Sequence, residues 1–227
     1  DRGRLVKRRY ERPAPHLVIA NTSDGQIAAI GSDVPDALAV ELRAVVADGA
    51  PLPDPAAPPA SMARCERLLA DWIGTVELSA GPSYLIPPAT AFEPTAEIQR
   101  SDGGHGEALR DRNPERANWG AEEWRLLLDG RLGPWAIATN GGQVIAICHT
   151  ARLSERGAEA GVWTDPGFRG QGHAAAVTAA WASLLALSGR HLFYSTSADN
   201  FSSQRVAARL DLRPIGWTWR LSSPATA

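Results

Sequence analysis

The sequence of 227 residues is poor in lysine and cysteine and contains no long apolar run. Lys7 is the only lysine, so the Gly-Lys-Ser or Gly-Lys-Thr end of a P-loop is absent, which excludes that class of nucleotide site. Cys65 and Cys148 are too few for a disulfide framework, and we interpret both as small core residues rather than as a nucleophile or metal ligands. No segment approaches about 18 consecutive apolar residues, so no transmembrane helix and no membrane partner are predicted. With no signal peptide either, we expect the chain in the reducing cytoplasm.

The net charge is small but unevenly distributed. It is −2 at pH 7 for the whole chain, whereas residues 1–12 carry six basic side chains against Asp1 and Glu11. A basic arm of this kind can bind nucleic acid, but Tyr10 is its only aromatic residue for stacking on a base. We therefore expect a solvated terminal segment and no nucleic-acid partner. The content of 44% hydrophobic and 21% charged residues is typical of a globular protein.

A glycine-containing stretch near residue 170 is the most informative part of the sequence. Residues 162–174 read Val-Trp-Thr-Asp-Pro-Gly-Phe-Arg-Gly-Gln-Gly-His-Ala, and residues 171–187 contain no proline and favour an alanine-rich helix. Glycine lets the backbone approach a ligand closely, and the unpaired N–H groups at a helix start attract negative charge. Residues 191–196 are branched and aromatic enough for a strand. The order strand, glycine turn, helix, strand therefore predicts a site for a phosphate or pyrophosphate.

One family of phosphate sites matches this stretch only in part. Gly170, Gly172 and Ala175 have the spacing of the Gly-x-Gly-x-x-Gly/Ala fingerprint of dinucleotide-binding folds, and Asp199 is placed to bind a ribose. In that fold the first glycine follows the strand almost directly, whereas five residues intervene here. Too few strands follow to complete a doubly wound sheet. A nicotinamide oxidoreductase is therefore the weaker interpretation.

A second family accounts for the intervening residues. Arg169, Gly172 and Ala174 resemble the Gln/Arg-x-x-Gly-x-Gly/Ala signature of the GNAT superfamily of acyl-CoA-dependent N-acyltransferases. Residues 164–170 are similar to the usual lead-in of that signature, and residues 199–212 resemble the Asn-x-x-Ser segment on the family's next helix. Two motifs in the expected order form a specific signal.

The resemblance implies an α/β (α+β) fold with a mixed, mostly antiparallel central sheet and flanking helices. It covers roughly residues 91–223 and is close to the branch whose strand reads Gly-Val-x-Thr. We predict two domains, with residues 91–227 forming the GNAT acetyltransferase domain and residues 1–90 forming a smaller α+β cap. A degenerate copy of the acetyltransferase domain is the alternative for residues 1–90, but no Arg-x-x-Gly-x-Gly turn occurs there.

Turn signals and periodicity place helices and strands in both predicted domains. The predicted helices cover residues 35–47, 61–72 and 171–187, with one or two more between residues 105 and 132. The predicted strands cover residues 17–20, 75–78, 84–86, 96–100, 135–139, 144–153 and 191–196. An Asn-Gly-Gly turn at residues 140–142 joins two of these strands as a hairpin.

By resemblance, acetyl-CoA is the co-substrate and binds between the strand and the glycine turn. The backbone of residues 162–164 would pair with the pantetheine arm, the amides of residues 170–175 would hold the pyrophosphate, and Arg169 would add a charged contact. His173 stands where the family generally has an aliphatic residue, and phosphate contact and packing are both open for it. The predicted cofactor-binding residues are Val162, Trp163, Thr164, Arg169, Gly170, Gln171, Gly172, His173, Ala174, Ala175, Asn200 and Ser203.

Acyl transfer to an amine needs a base for the nucleophile and benefits from an acid for the departing thiolate. Glu159 is the leading candidate for the base because it begins the strand that leads into the glycine turn, and His149 on the preceding strand is the alternative. Many members of the family carry a tyrosine as the acid, and Ala207 occupies that position here. Tyr194, Ser203 or water would take its place, or the thiolate leaves unassisted.

We therefore expect an acetyl-CoA-dependent N-acetyltransferase. It would act on a primary amine of a small molecule, amino acid, peptide or protein by direct attack in a ternary complex. Residues 118–124 are the candidate acceptor-side segment, because the early helices border the acceptor site in this family. A non-catalytic CoA-binding sensor on the same fold is the alternative, given the missing tyrosine and the additional domain. Whether the chain forms a homodimer stays open.

Overall fold

The computed structural model describes residues 15–22, 25–49, 52, 54–114 and 119–224, together with the backbone of residues 4–5. The strands are β1 (Arg4–Leu5), β2 (Leu17–Thr22), β3 (Gly25–Gly31), β4 (Glu77–Ile86), β5 (Glu97–Arg100), β6 (Trp135–Asn140), β7 (Gln143–Leu153), β8 (Gly157–Thr164), β9 (His191–Ser195) and β10 (Arg213–Ser222). The helices are α1 (Asp36–Ala47), α2 (Met62–Ile73), α3 (Gly106–Arg112), α4 (Ala121–Leu128), α5 (His173–Leu185) and α6 (Phe201–Arg209). The predicted solvated arm at residues 1–12 lies outside the described residues, apart from the backbone of β1.

The chain forms two compact units. The first unit comprises Asp1–Ser83, Thr196–Asp199 and Pro214–Ala227, and the second comprises Tyr84–Ser195 and Asn200–Arg213. From residue 214 onward, β10 therefore belongs to the same unit as the first strands of the chain. The division into domains at residues 1–90 and 91–227 stays a prediction.

The first unit has its strands in the order β1-β3-β2-β10-β4. β2 pairs antiparallel with β3 on one side and with β10 on the other. Side chains of β2 alternate between buried and half-buried, so one face of the strand joins a core with α1 and α2. That core contains Leu17, Ile19, Ile30, Val34, Ala39, Leu42, Val46, Met62, Cys65, Leu69, Trp219 and Leu221.

The two strands predicted at residues 75–78 and 84–86 are one strand, β4, which continues through Gly81 and Pro82. A glycine fits at position 81 because a Cβ there would overlap the carbonyl oxygen of Thr196. The carbonyl oxygen of Pro82 accepts a hydrogen bond from the Thr196 N–H across 3.2 Å. A Gly-Pro pair usually marks a break, but here this hydrogen bond and the close approach of Thr196 keep the segment extended.

The second unit contains the strand order β9-β8-β7-β6-β5. Strands β5 to β8 pair antiparallel with their neighbours, and β8 pairs with β9 in parallel. Alternation divides the side chains between two faces: Ala136 and Cys148 join the core under α5 and α6, whereas Ile137 and Ile147 join α3 and α4. The prediction of a mixed α+β fold with a mostly antiparallel sheet flanked by helices is confirmed.

Helix α5 packs closely on the sheet because its buried face consists largely of small residues. Ala175, Ala179 and Ala182 are all buried. Trp181 is also buried, and its Nε1 donates a hydrogen bond to Thr150 Oγ1 across 3.0 Å. The helix is shorter at both ends than the predicted range of 171–187, and at its start Gly172 has a φ of 92°, outside the helical region.

Candidate functional site

Strands β8 and β9 separate where the candidate site begins. The last of their parallel pairs joins Glu159 to Phe193. β8 continues to Thr164, and within the described sheet this part pairs with β7 only. The edge of residues 160–164 on the β9 side is therefore open, and an amide-bearing chain can add to such an edge as a strand does.

A cavity of about 340 Å³ opens beside this edge. Its walls come from the end of β8, the glycine turn (residues 165–172), the start of α5, the end of β9 and α6. The lining residues are Val162, Trp163, Thr164, Phe168, Arg169, Gly170, Gly172, His173, Ala174, Ala175, Tyr194, Asn200, Ser202, Ser203, Arg205, Val206 and Arg209.

The glycine turn places the start of α5 in the cavity wall. Gly170 and Gly172 have φ angles of 81° and 92°, in the left-handed region that favours glycine. Space is also limited at position 172, where a Cβ would lie 3.2 Å from Phe92 Cε1. Because α5 begins at His173, its first N–H groups have no acceptor within the helix. They are suited to the oxygens of a phosphate.

Three arginines line the cavity, and among the described residues no carboxylate does. Arg209 Nη2 donates to the carbonyl oxygen of Gly170 across 3.3 Å, which holds its guanidinium group at the glycine turn. Arg169 Nε donates to the Thr164 carbonyl oxygen across 3.4 Å. Arg205 is the third arginine. This excess of positive charge favours an anionic ligand.

His173 lies in the first turn of α5 and is buried although it lines the cavity. Its Nδ1 lies 3.4 Å from Thr95 Oγ1, and its ring lies 6.2 Å from that of Phe168. Burial lowers the pKa of His173, which favours the neutral ring. Gln171, in contrast, is exposed and does not line the cavity; its carbonyl oxygen lies 3.4 Å from Thr95 Oγ1, which donates to it.

The Asn-x-x-Ser segment forms the start of α6. Asn200 Oδ1 accepts a hydrogen bond from the Ser203 N–H across 3.0 Å, so the asparagine caps the helix. The Ser203 side chain hydrogen-bonds to Tyr194 from the end of β9. Burial raises the pKa of Tyr194 to about 12, which keeps its phenol protonated at neutral pH.

The two candidate bases lie on the sheet face opposite α5, and neither lines the cavity. The Glu159 carboxylate pairs with Arg152 Nη1. The His149 ring makes an edge contact with Trp119 at a centroid distance of 4.7 Å. It also lies over Gly161, where any Cβ would clash with His149 Nε2. Trp119 belongs to the predicted acceptor-side segment, of which residues 119–124 are described and Asn118 is not.

Several lining residues belong to the two motif stretches but are not among the predicted cofactor-binding residues. Besides Phe168, they are Ser202, Arg205, Val206 and Arg209, all on α6. These four positions have the spacing of one helix face. A helical projection of α6 groups these four positions, but the sequence alone does not show that their face, rather than the face of Ala207, lines a cavity.

Ala207, at the position of the family's tyrosine, faces the core. It is 1% exposed and packs among the buried residues under α5. Ser203, one turn earlier, lines the cavity. The location of Asn200 and Ser203 therefore does not depend on position 207 facing the cavity.

Comparisons of sequence and of structure relate this chain to known proteins. A family model described as an acetyltransferase (GNAT) domain matches residues 88–213. A Drosophila protein of known structure superposes with a TM-score of 0.54 at 16% identity, over 96% of this chain and 78% of that chain, which supports the fold. An acetyltransferase of the GNAT family from Novosphingobium aromaticivorans matches with a TM-score of 0.48 at 21% identity, over 65% and 66% of the two chains.

A GCN5-related N-acetyltransferase-like protein from Streptococcus suis matches with a TM-score of 0.47 at 19% identity, over 70% of this chain and 67% of that chain. No curated protein sequence matches significantly. Within the described ranges, no helix has both the length and the apolar character needed to cross a membrane. The family match covers more than half of the sequence, and the chain belongs to the GNAT acetyltransferase family.

Proposed function

We propose that this chain is an N-acetyltransferase that transfers the acetyl group of acetyl-CoA to a primary amine by direct attack in a ternary complex. The observation that carries the proposal is the cavity at the separation of β8 and β9. An open strand edge, a glycine turn at a helix start and three arginines surround it. The strand edge suits the pantetheine arm of CoA, and the helix start and the arginines suit its phosphate groups.

The uncharged pantetheine arm has amide groups that suit the open edge of residues 162–164. The pyrophosphate suits the first N–H groups of α5 and the guanidinium groups of Arg169 and Arg209, since both offer positive charge at the glycine turn. In this orientation the thioester lies toward Glu159 and Phe193, where the two strands converge.

We assign the general base to His149 ahead of Glu159. The His149 imidazole lies over Gly161, next to the open edge, and the absence of a side chain at position 161 makes room for it. The Glu159 carboxylate is instead engaged by Arg152. Trp119 packs against the edge of His149 and restricts its orientation. Glu159 stays the alternative general base, and experiment must distinguish between the two residues.

We assign the acid to Tyr194. Its phenol reaches the cavity from the end of β9, hydrogen-bonds to Ser203, and stays protonated at neutral pH. Tyr194 packs on the α5 side of the sheet, whereas His149 contacts Trp119 on the other side. The acid and the base thus approach the thioester from opposite faces.

The reaction follows from these positions. The amine nitrogen forms a bond to the thioester carbonyl carbon, and His149 takes the proton that the nitrogen loses. The bond between carbon and sulfur then breaks, and the sulfur takes a proton from Tyr194. Proton transfer of this kind contributes roughly 10²-fold or more to a rate. The cytoplasmic location stays a prediction, and whether the chain forms a homodimer stays open.

Release of the CoA thiol from acetyl-CoA, measured across a panel of small amines, amino acids and peptides, tests this function. With the best amine, we expect His149→Asn to lower kcat/KM by roughly 10²-fold and to leave the affinity for acetyl-CoA unchanged. If Glu159→Gln causes that loss and His149→Asn does not, the base is Glu159. Tight acetyl-CoA binding without turnover across the panel would instead favour the sensor.

A further inference from the structure

We propose that Arg205 binds the 3′-phosphate of CoA and makes this chain select CoA over 3′-dephospho-CoA. The inference rests on the proposed function, because it takes CoA as the occupant of the cavity. It adds a specificity-determining residue on α6, outside the glycine turn and the open strand edge.

The first step is the charge of the cavity. Three guanidinium groups line it, and none of the described lining residues is a carboxylate. The pyrophosphate of CoA is one anionic group, and the pantetheine arm is uncharged. The pyrophosphate diester is a dianion and balances two of the three guanidinium groups, which leaves the third for a second anionic group, and in CoA this group is the 3′-phosphate.

The second step separates Arg209 from Arg205. Arg209 Nη2 donates to Gly170, and Arg209 Nη1 lies 3.8 Å from the position of a Cβ on Gly172. Its charge thus lies at the glycine turn, beside the helix start that suits the pyrophosphate. Arg209 serves a group that CoA and 3′-dephospho-CoA share.

Arg205 lies one turn of α6 earlier, about 6 Å along the helix axis from Arg209. Its Nη2 donates to Ser202 Oγ across 3.1 Å, and Ser202 also lines the cavity. The guanidinium group and the hydroxyl together offer several donors to one phosphate, away from the glycine turn. This separation assigns Arg205 to the second anion.

The test is a thermodynamic cycle on the full chain. Calorimetry measures the affinities of CoA and 3′-dephospho-CoA for the wild type, Arg205→Gln and Arg209→Gln. Arg131→Gln is the matched control, because Arg131 is an exposed arginine of the second unit that does not line the cavity. Thermal melting of each variant confirms that it is folded.

We expect the wild type and Arg131→Gln to bind CoA about tenfold more tightly than 3′-dephospho-CoA. Arg205→Gln removes this difference because it lowers the affinity for CoA and leaves the affinity for 3′-dephospho-CoA unchanged. Arg209→Gln lowers the affinities for both ligands by the same factor.

Three results would overturn the assignment. If the wild type binds the two ligands with equal affinity, or if Arg205→Gln weakens the binding of both ligands equally, Arg205 does not bind the 3′-phosphate. If Arg205→Gln leaves the CoA affinity unchanged and raises the KM for the amine, Arg205 contacts the acceptor instead. If the wild type binds neither ligand, the proposed function fails, whereas binding without discrimination refutes only the role of Arg205.

Discussion

Glu159 and Phe193 form the last pair between β8 and β9, and the proposed site for the pantetheine arm begins where that pairing stops. Beyond it, the β8 edge is open, and Tyr194 follows directly on the other strand. Parallel strands that diverge in this way leave backbone groups without a partner in the sheet. A ligand with amides of its own can satisfy them.

Gly172→Glu should abolish acetyl-CoA binding. The substitution places a carboxylate at the start of α5, where the ligand's phosphate would lie, and a Cβ at this position already crowds Phe92. A residue other than glycine at φ 92° also costs about 1 kcal/mol or more in stability. Calorimetric titration with acetyl-CoA measures the effect.

Gly141→Glu is the matched control for that variant. Gly141 has a φ of 58° in the β6–β7 hairpin, and a Cβ there would meet no atom within 4 Å. It should show a similar cost in melting temperature with normal acetyl-CoA affinity. If the Gly172→Glu variant is folded and binds acetyl-CoA with normal affinity, the phosphate does not bind at the glycine turn.

Tyr194→Phe should lower kcat by about tenfold to a hundredfold and leave the affinity for acetyl-CoA unchanged. Because the pKa of Tyr194 is raised to about 12, its protonated form persists as the pH rises, and this group should cause no loss of kcat below about pH 10. Steady-state kinetics from pH 7 to about pH 10 check both statements.

Tyr84→Phe serves as the control, because the Tyr84 ring lies 6.4 Å from that of Tyr194 but does not line the cavity. It should keep the wild-type rate. A Tyr194→Phe enzyme with an unchanged kcat would show that the thiolate leaves without this phenol.

Ala207→Tyr should destabilise the protein by about 1–3 kcal/mol, because the added ring has no space in a core where Ala207 is 1% exposed. Ala208 is exposed on the same helix, so Ala208→Tyr tests the same chemical change outside the core. Thermal melting compares the two variants. Equal melting temperatures would mean that position 207 does not face the core.

Alkaline pH should destabilise the chain through Cys65. Burial raises the pKa of its thiol to about 11, and burial also raises the pKa of Cys148. Because each folded-state pKa lies above the value of 9.0 expected for a free thiol, the stabilisation is complete below about pH 9 and is lost as the pH rises further. For Cys65 it amounts to about 2 to 3 kcal/mol at the alkaline limit.

Denaturant unfolding at pH 8 and about pH 11 measures this loss, and Cys65→Ala should show a smaller decline over the same interval. In the native protein at pH 8, neither thiol should react with a thiol reagent, whereas both react after denaturation. Rapid labelling of native Cys65 would contradict the burial on which this prediction depends.

The sequence predicts the parts of the site that local chemistry fixes. Gly170 and Gly172 require positive φ, Asn200 caps α6, and the long apolar helix follows directly. These features involve neighbours in the chain, so motif and propensity are sufficient. The cofactor-binding assignments themselves stay predictions until a ligand is measured.

Other features depend on residues that are distant in the sequence. Phe92 limits the space at Gly172, and Thr95 contacts His173, yet both come from the irregular segment before β5. The pairing of β10 with β2 joins residues about 200 positions apart, so no local pattern indicates it. Arg152 and Glu159 are close in the sequence, but their ion pair follows from the β7–β8 register, which the motifs do not specify.

The most direct test of the central claim uses acetyl-CoA labelled in its acetyl group, incubated with the protein in the presence and absence of an amine. We predict that label enters the N-acetylated amine in an amount equal to the CoA thiol released. We also predict that thiol release requires the amine and that no label stays on the protein. Label on the protein, or thiol release without an acetylated amine, would contradict direct transfer in a ternary complex.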